Sequence, residues 1–141
     1  MRTVFMVALV ALALSACGPH YVEGAVPAPS PTTEPGLGFD LAVSEKSTTA
    51  VLKVGQKLEV VLHANQGMTP WSGVRSSDAS VLAPMVNPAA TAARGVTLAA
   101  FQALAPGEAQ ITATAGADCS PGKACPMYAM LWRIDVTVVA A

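Results

Sequence analysis

The chain has 141 residues, of which 12% are charged, and its formal net charge is −1 at pH 7. A nucleic-acid-binding domain carries a clear excess of Lys and Arg, so this charge balance excludes that class of partner. The length is that of one domain of ordinary size. Because aromatic residues make up only 5% of a chain that is 52% hydrophobic, we expect a core of mainly aliphatic side chains.

The N-terminus predicts an export signal over residues 1–16. Arg2 supplies a positive charge, and eleven residues without a polar side chain follow from Val4 to Leu14. A membrane-spanning helix needs about 20 apolar residues, so this run is too short to remain as a transmembrane anchor. A short apolar run between a basic residue and small residues is typical of a cleaved leader.

The segment Leu14-Ser15-Ala16-Cys17 resembles the lipobox of bacterial lipoproteins. The resemblance implies that Cys17 carries lipid after cleavage, and that the protein sits on the surface of the cell membrane or outer membrane, exported from the cytoplasm. The alternative is an ordinary secretory signal with a cysteine at its boundary. Residues 17–38 are rich in Pro, Gly, Ser and Thr, which predicts a disordered linker, with a proline-rich recognition motif as the alternative.

Residues 39–141 predict an all-β domain. Apolar and polar residues alternate from Lys57 to His63, from Glu108 to Thr114 and from Trp132 to Val138. A period of two is typical of strands with one buried face. We expect the inward side chains of these runs to be Leu58, Val60, Leu62, Ala109, Ile111, Ala113, Trp132, Ile134, Val136 and Val138.

Further strands are predicted on either side of these runs. Their ranges are 40–44, 49–54, 71–75, 80–82 and 96–103. Pro88 argues against a long helix in residues 84–95, which could form a helical turn or a loop. About seven short strands and no convincing helix indicate an immunoglobulin-like antiparallel β-sandwich.

Cys119 and Cys125 are an even pair of thiols in a chain expected to leave the cytoplasm. Pro121-Gly122 lies between them, where a tight turn would bring the two thiols together. We therefore predict a disulfide that shapes a loop. A zinc site is the alternative, but it needs further ligands, and His63 is the only histidine of the domain. We predict no metal and no cofactor.

Four segments resemble bacterial immunoglobulin-like domains over about residues 48–138. They are Val54-Gly55-Gln56-Lys57-Leu58, Trp71, Ser76 to Leu82, and Phe101 to Ala113. The resemblance implies the sandwich fold but says little about function, because this fold serves many purposes.

The same layout resembles chagasin-type inhibitors of papain-like cysteine proteases, which block the protease cleft with three loops. The stretch from Asn65 to Trp71 matches the first of those loops only at its two ends, and it is one residue short. The Arg-Pro-Trp loop of the family is absent before the last strand, where Pro126-Met127-Tyr128 stands instead. Protease inhibition is therefore the alternative function.

Five residues of the predicted loops form a possible partner surface. They are Asn65, Met68, Thr69, Met127 and Tyr128. Both tryptophans are expected in the core, and His63 is expected to contact only solvent. No grouping of nucleophile, base and orienting residue is visible, so we predict no catalytic residue and no enzyme. The predicted function is that of a lipid-anchored, monomeric binding or structural module at the cell envelope, with an envelope or extracellular protein as partner.

Overall fold

The computed structural model describes residues 33–87, 94–119, 121, 122 and 124–141. The predicted export signal, Cys17 and the linker up to residue 32 lie outside these residues. The described residues form no helix that is long and apolar enough to cross a membrane. They form eight strands, namely β1 (Leu41–Ser44), β2 (Thr49–Lys53), β3 (Lys57–His63), β4 (Ser72–Ser76), β5 (Leu82–Met85), β6 (Val96–Ala103), β7 (Gly107–Gly116) and β8 (Ala129–Val139).

The strands form two four-stranded sheets that pack face to face. The first sheet has the order β1-β3-β6-β5 and the second has the order β2-β8-β7-β4. The predicted immunoglobulin-like β-sandwich is thereby confirmed. Its central pairs are antiparallel, whereas β1 pairs with β3 and β2 pairs with β8 in parallel. Alternating hydrophobicity reports which face of a strand is buried, not the direction of its partner, so the sequence does not predict these parallel pairs.

A short crossing between β1 and β2 carries the chain from one sheet to the other. Ser47, which is 2% exposed, lies at its centre. The Ser44 N–H donates to Ser47 Oγ at 3.1 Å, and the Ser47 N–H donates to the Ser44 carbonyl at 2.9 Å. These bonds satisfy backbone groups that the change of sheet would otherwise leave unpaired.

The core lies between the sheets and contains every side chain that the alternation predicts to face inward. Phe101 and Leu58, which are paired across β6 and β3, are at most 1% exposed. Their counterparts in the second sheet are the paired residues Ile111 and Ile134, both 0% exposed. Period two therefore identifies the buried face of both sheets.

The strand predicted at residues 80–82 is found at residues 82–85, because it begins only at Leu82. Asp78 accepts hydrogen bonds from the Ser80 N–H and hydroxyl at 2.8 and 2.6 Å, which fixes a turn before β5 begins at Leu82. Pro84 lies inside β5. This is tolerated because β5 is an edge strand, on which a missing N–H need not break a ladder.

Glu59 differs from its expected position on a solvated strand face, because it is only 6% exposed. Its carboxylate accepts hydrogen bonds from the Gly36 N–H and from the Asn87 side chain. Residues 33–38, which the sequence assigns to the linker, therefore contact the first sheet.

Candidate partner-binding end

Three loops meet at one end of the sandwich. They are the β3–β4 loop (64–71), the β5–β6 loop (86–95, of which 88–93 lie outside the described residues) and the β7–β8 loop (117–128). His63 of β3 pairs with Val96 of β6, so the end of β3 lies beside the start of β6. Gly116 of β7 pairs with Ala129 of β8 at the same end of the second sheet. We call this region the loop end.

The β3–β4 and β7–β8 loops are held together by backbone hydrogen bonds. Met68 and Ala117 form an isolated antiparallel bridge. The Thr69 N–H donates to the Gly116 carbonyl at 2.9 Å, and the Gly116 N–H donates to Thr69 Oγ1 at 3.0 Å. The Asp118 N–H donates to the Gly67 carbonyl at 2.9 Å. These bonds therefore fix residues 67–69 of the first loop against residues 116–118.

The third loop is joined to the first by a hydrogen bond in which the Ala64 N–H donates to the Gly95 carbonyl at 2.7 Å. Trp71 is the last residue of the first loop, and its side chain packs in the core at the base of that loop. Its indole Nε1–H donates to the His63 carbonyl at 2.9 Å, and its own carbonyl accepts from Thr97 Oγ1 at 2.7 Å. Trp71 is 5% exposed and Trp132 is 6% exposed, so both tryptophans lie in the core as expected.

Four of the five residues predicted for a partner surface lie at the loop end with exposed or half-buried side chains. These are Asn65, Thr69, Met127 and Tyr128. Met68 is the exception, because its side chain is 8% exposed and belongs to the core. The prediction of Met68 as a surface residue was wrong, since the bridge to Ala117 turns this part of the loop inward.

The exposed apolar area at the loop end is larger than the sequence suggests. Met127 is fully exposed and Tyr128 is 53% exposed. Leu131 and Met130 are two further exposed apolar residues at the start of β8, at 65% and 40% exposure, and they point to opposite faces of the strand. Asn65 Nδ2 lies 3.6 Å from the Met130 sulfur, which links this area to the β3–β4 loop. Leu131 was missed, although its place next to the inward Trp132 indicates that it faces outward.

The β7–β8 loop is closed by the predicted disulfide. Cys119 and Cys125 are bonded, and their Cα atoms lie 5.4 Å apart. Both cysteines are exposed, as is Met127 just beyond the bridge. The disulfide therefore restrains the loop that carries the most exposed apolar side chain of the loop end.

His63 contacts Glu45 and not solvent alone. Its Nδ1 lies 3.4 Å from Glu45 Oε2, while its side chain is 58% exposed. Burial by itself would raise the pKa of Glu45, but hydrogen bonds from its own backbone and from His63 outweigh that effect, so the pKa is lowered. Within the described ranges, no three His, Cys, Asp or Glu residues are grouped so that they could hold a metal ion.

A shallow polar cavity of about 420 Å³ lies on the outer face of the second sheet, away from the core. Two carboxylates, Glu108 and Asp135, line it together with Gln110, whose Nε2 donates to Asp135 Oδ1 at 2.7 Å. No histidine, cysteine or lysine is among its lining residues. Ser77 and Thr137 complete its polar lining.

Comparison with known proteins finds no matching family model and no matching curated protein. Among solved structures, the chain is similar to the crystal structure of the cysteine protease inhibitor EhICP2 from Entamoeba histolytica, with 14% identity and a TM-score of 0.45 over 70% of this chain and 93% of that one. It is also similar to the solution structure of Amebosin, with 16% identity and a TM-score of 0.40 over 70% of this chain and 96% of that one.

Proposed function

We propose that this protein is a non-enzymatic binding module that contacts a partner protein with its loop end. The observation that carries the proposal is the pair of exposed apolar side chains Met127 and Tyr128, which follow the disulfide at the loop end. Apolar side chains held out in water favour burial against another molecule, and Met and Tyr are enriched in protein interfaces. Hydrogen bonds fix residues 67–69 against residues 116–118, and the disulfide closes the β7–β8 loop, so less conformational entropy is lost on binding than with two unrestrained loops.

Papain-type cysteine proteases are the first partner class to test. The sequence resembles chagasin-type inhibitors around Asn65 and Trp71, and the loops that would block a cleft lie side by side at one end. In this proposal Met127 and Tyr128 enter the cleft in place of the family's Arg-Pro-Trp loop. An apolar tip of this kind suits an apolar substrate pocket.

The test is inhibition of papain by the purified protein. We expect inhibition at or below about 1 μM, which corresponds to about −8 kcal/mol of binding. The double substitution Met127→Ala and Tyr128→Ala should weaken inhibition at least about tenfold, because aromatic and apolar anchors carry most of an interface's affinity. Val51→Ala is the matched control, since Val51 is 64% exposed on β2, outside the loop end.

Absence of inhibition by the wild-type protein would remove the protease from the proposal. The loop end would then be tested by crosslinking from position 128 in envelope extracts, with position 51 as the control. Equal crosslinking from both positions would contradict a partner site at the loop end.

We also propose that the protein is anchored to a membrane by lipid on Cys17. The support is the lipobox-like sequence after an apolar leader. Cys17→Ala should abolish labelling with radioactive fatty acid and leave the protein uncleaved or soluble. Cys119→Ala, which alters a cysteine outside the leader, should leave labelling unchanged. Continued labelling of the Cys17→Ala protein would refute the proposed anchor.

A further inference from the structure

Residues 33–38 lie against the free edge of the first sheet, and we call them the strap. Thr33 forms an isolated antiparallel bridge with Ala42 of β1. The chain then turns back into β1, and the Phe39 N–H donates to the Gly36 carbonyl at 3.2 Å. β1 is an edge strand, so the strap occupies a side of it that no other strand covers in the described structure.

A buried carboxylate provides a second contact that holds the strap. Glu59 Oε2 accepts a hydrogen bond from the Gly36 N–H at 2.9 Å, and Oε1 accepts one from Asn87 Nδ2 at 3.1 Å. Within the described residues, no cationic side chain forms an ion pair with Glu59. A carboxylate that is 6% exposed needs such donors, because burial without them is costly.

Gly36 approaches the end of the Glu59 side chain closely. A Cβ atom added at Gly36 would lie 2.8 Å from Glu59 Oε2. The backbone of Gly36 is not in the left-handed region, so an alanine there would conflict only with the Glu59 carboxylate, which would have to move. Gly36→Ala is therefore a probe of the contact between the strap and Glu59.

The strap adds little apolar burial of its own. Leu37 is fully exposed, and residues 34–36 and 38 are also exposed. When the strap leaves the sheet, Glu59 regains water, which offsets part of the lost hydrogen bonding. A segment with few buried apolar contacts opens well before the core.

We propose that the strap is a releasable clasp between the N-terminal linker and the sandwich, closed on Glu59 and opening without unfolding of the sheets. Opening frees six residues and lengthens the linker by up to about 20 Å. A force applied to the N-terminal segment acts on the hydrogen bonds of the clasp before it acts on those of β1. With the lipid anchor proposed above, the added length increases the distance that the loop end can reach from the membrane, and this consequence rests on that proposed anchor. The clasp itself does not depend on it.

The experiment is hydrogen exchange of the full chain in the wild type and in five substituted proteins. In the wild type, the strap amides should exchange at least about tenfold more slowly than in an unstructured peptide, and at least about a hundredfold faster than the β8 amide of Ile134. Gly36→Ala and Glu59→Ala should each speed strap exchange about tenfold, because a hydrogen bond to a charged group is lost. Adding Gly36→Ala to Glu59→Ala should raise the exchange rate of the strap amides by less than about twofold, because the Glu59 carboxylate that the added methyl group would contact is already absent.

Glu108→Ala provides the matched control, because Glu108 is an exposed carboxylate on the second sheet. Gly36→Ala should keep its full tenfold effect in that background. Strap amides that exchange as fast as a free peptide, or as slowly as Ile134, would overturn the clasp. Additive effects of Gly36→Ala and Glu59→Ala would also overturn it, because they would show that the two residues act independently.

Discussion

The two tryptophans are buried to a similar extent, but only one of their indole N–H groups donates a hydrogen bond to a described residue. Trp71 donates to the His63 carbonyl, whereas Trp132 Nε1 is buried with no acceptor among the residues described. The pairing at Trp71 also connects the end of β3 to the start of β4, which fixes the base of the β3–β4 loop. The sequence predicts both residues as core, but it cannot predict which indole is satisfied, because that depends on a carbonyl eight residues away.

Replacement of each tryptophan by phenylalanine should separate packing from hydrogen bonding. Both changes remove a similar volume, but only Trp71→Phe leaves a carbonyl without its donor. We expect Trp71→Phe to lower the free energy of unfolding by about 1 kcal/mol more than Trp132→Phe. Urea denaturation of the two variants measures the difference, and equal losses would contradict the role assigned to the Trp71 bond.

The contact between Glu45 and His63 makes a small pH-dependent contribution to stability. Because the pKa of Glu45 is lowered in the folded protein, its carboxylate stabilises the fold above the ordinary value of 4.5. This contribution is lost as the pH falls through the lowered folded-state value. We expect Glu45→Gln to cost about 0.5 kcal/mol at pH 6 and less at pH 3, measured by urea denaturation at each pH. A cost that grows toward pH 3 would contradict this sign.

At the level of elements, alternation predicts which side chains of the strands face the core, but not every burial on the opposite face. β2, β7 and β8 follow the period-two pattern closely, whereas β3 and β6 also bury Glu59 and Ala100 on the face away from the core. The remaining differences depend on contacts that a local pattern does not contain. The strap is fixed by Glu59, 23 residues away, and Met68 is turned inward by its bridge to Ala117. The sequence therefore predicts the loop end and most of its surface residues, but not the strap.

The Cys119–Cys125 disulfide should stabilise the β7–β8 loop more than the fold. It closes a loop with a sequence separation of six, so it restricts the unfolded chain only slightly. Replacing both cysteines by serine should lower the free energy of unfolding by about 2 kcal/mol at most. Hydrogen exchange should rise in residues 117–128 while the amides of β3 and β6 keep their protection. Loss of protection throughout the first sheet would contradict a local role.

On the scale of the whole molecule, the two sheets share one core. The same cluster contains Leu58 and Phe101 from the first sheet and Ile111 and Ile134 from the second. The crossing between β1 and β2 joins the sheets covalently near the start of the domain. Neither sheet has a second apolar layer of comparable burial in the described structure, so each depends on the other for its stability.

A single core predicts that damage to either sheet destabilises both together. Leu58→Ala and Ile111→Ala each empty a fully buried position, one in each sheet, and should each cost about 3 kcal/mol. Trp71, beside the first sheet, and Trp132, in the second, should report the same shift of the unfolding midpoint for a given core substitution, when each is the single fluorophore of its own Trp→Phe background. If Leu58→Ala shifted only the Trp71 midpoint, the sheets would be separate folding units. Coincident shifts are expected instead, because removal of either inner face exposes the apolar face of the other to water.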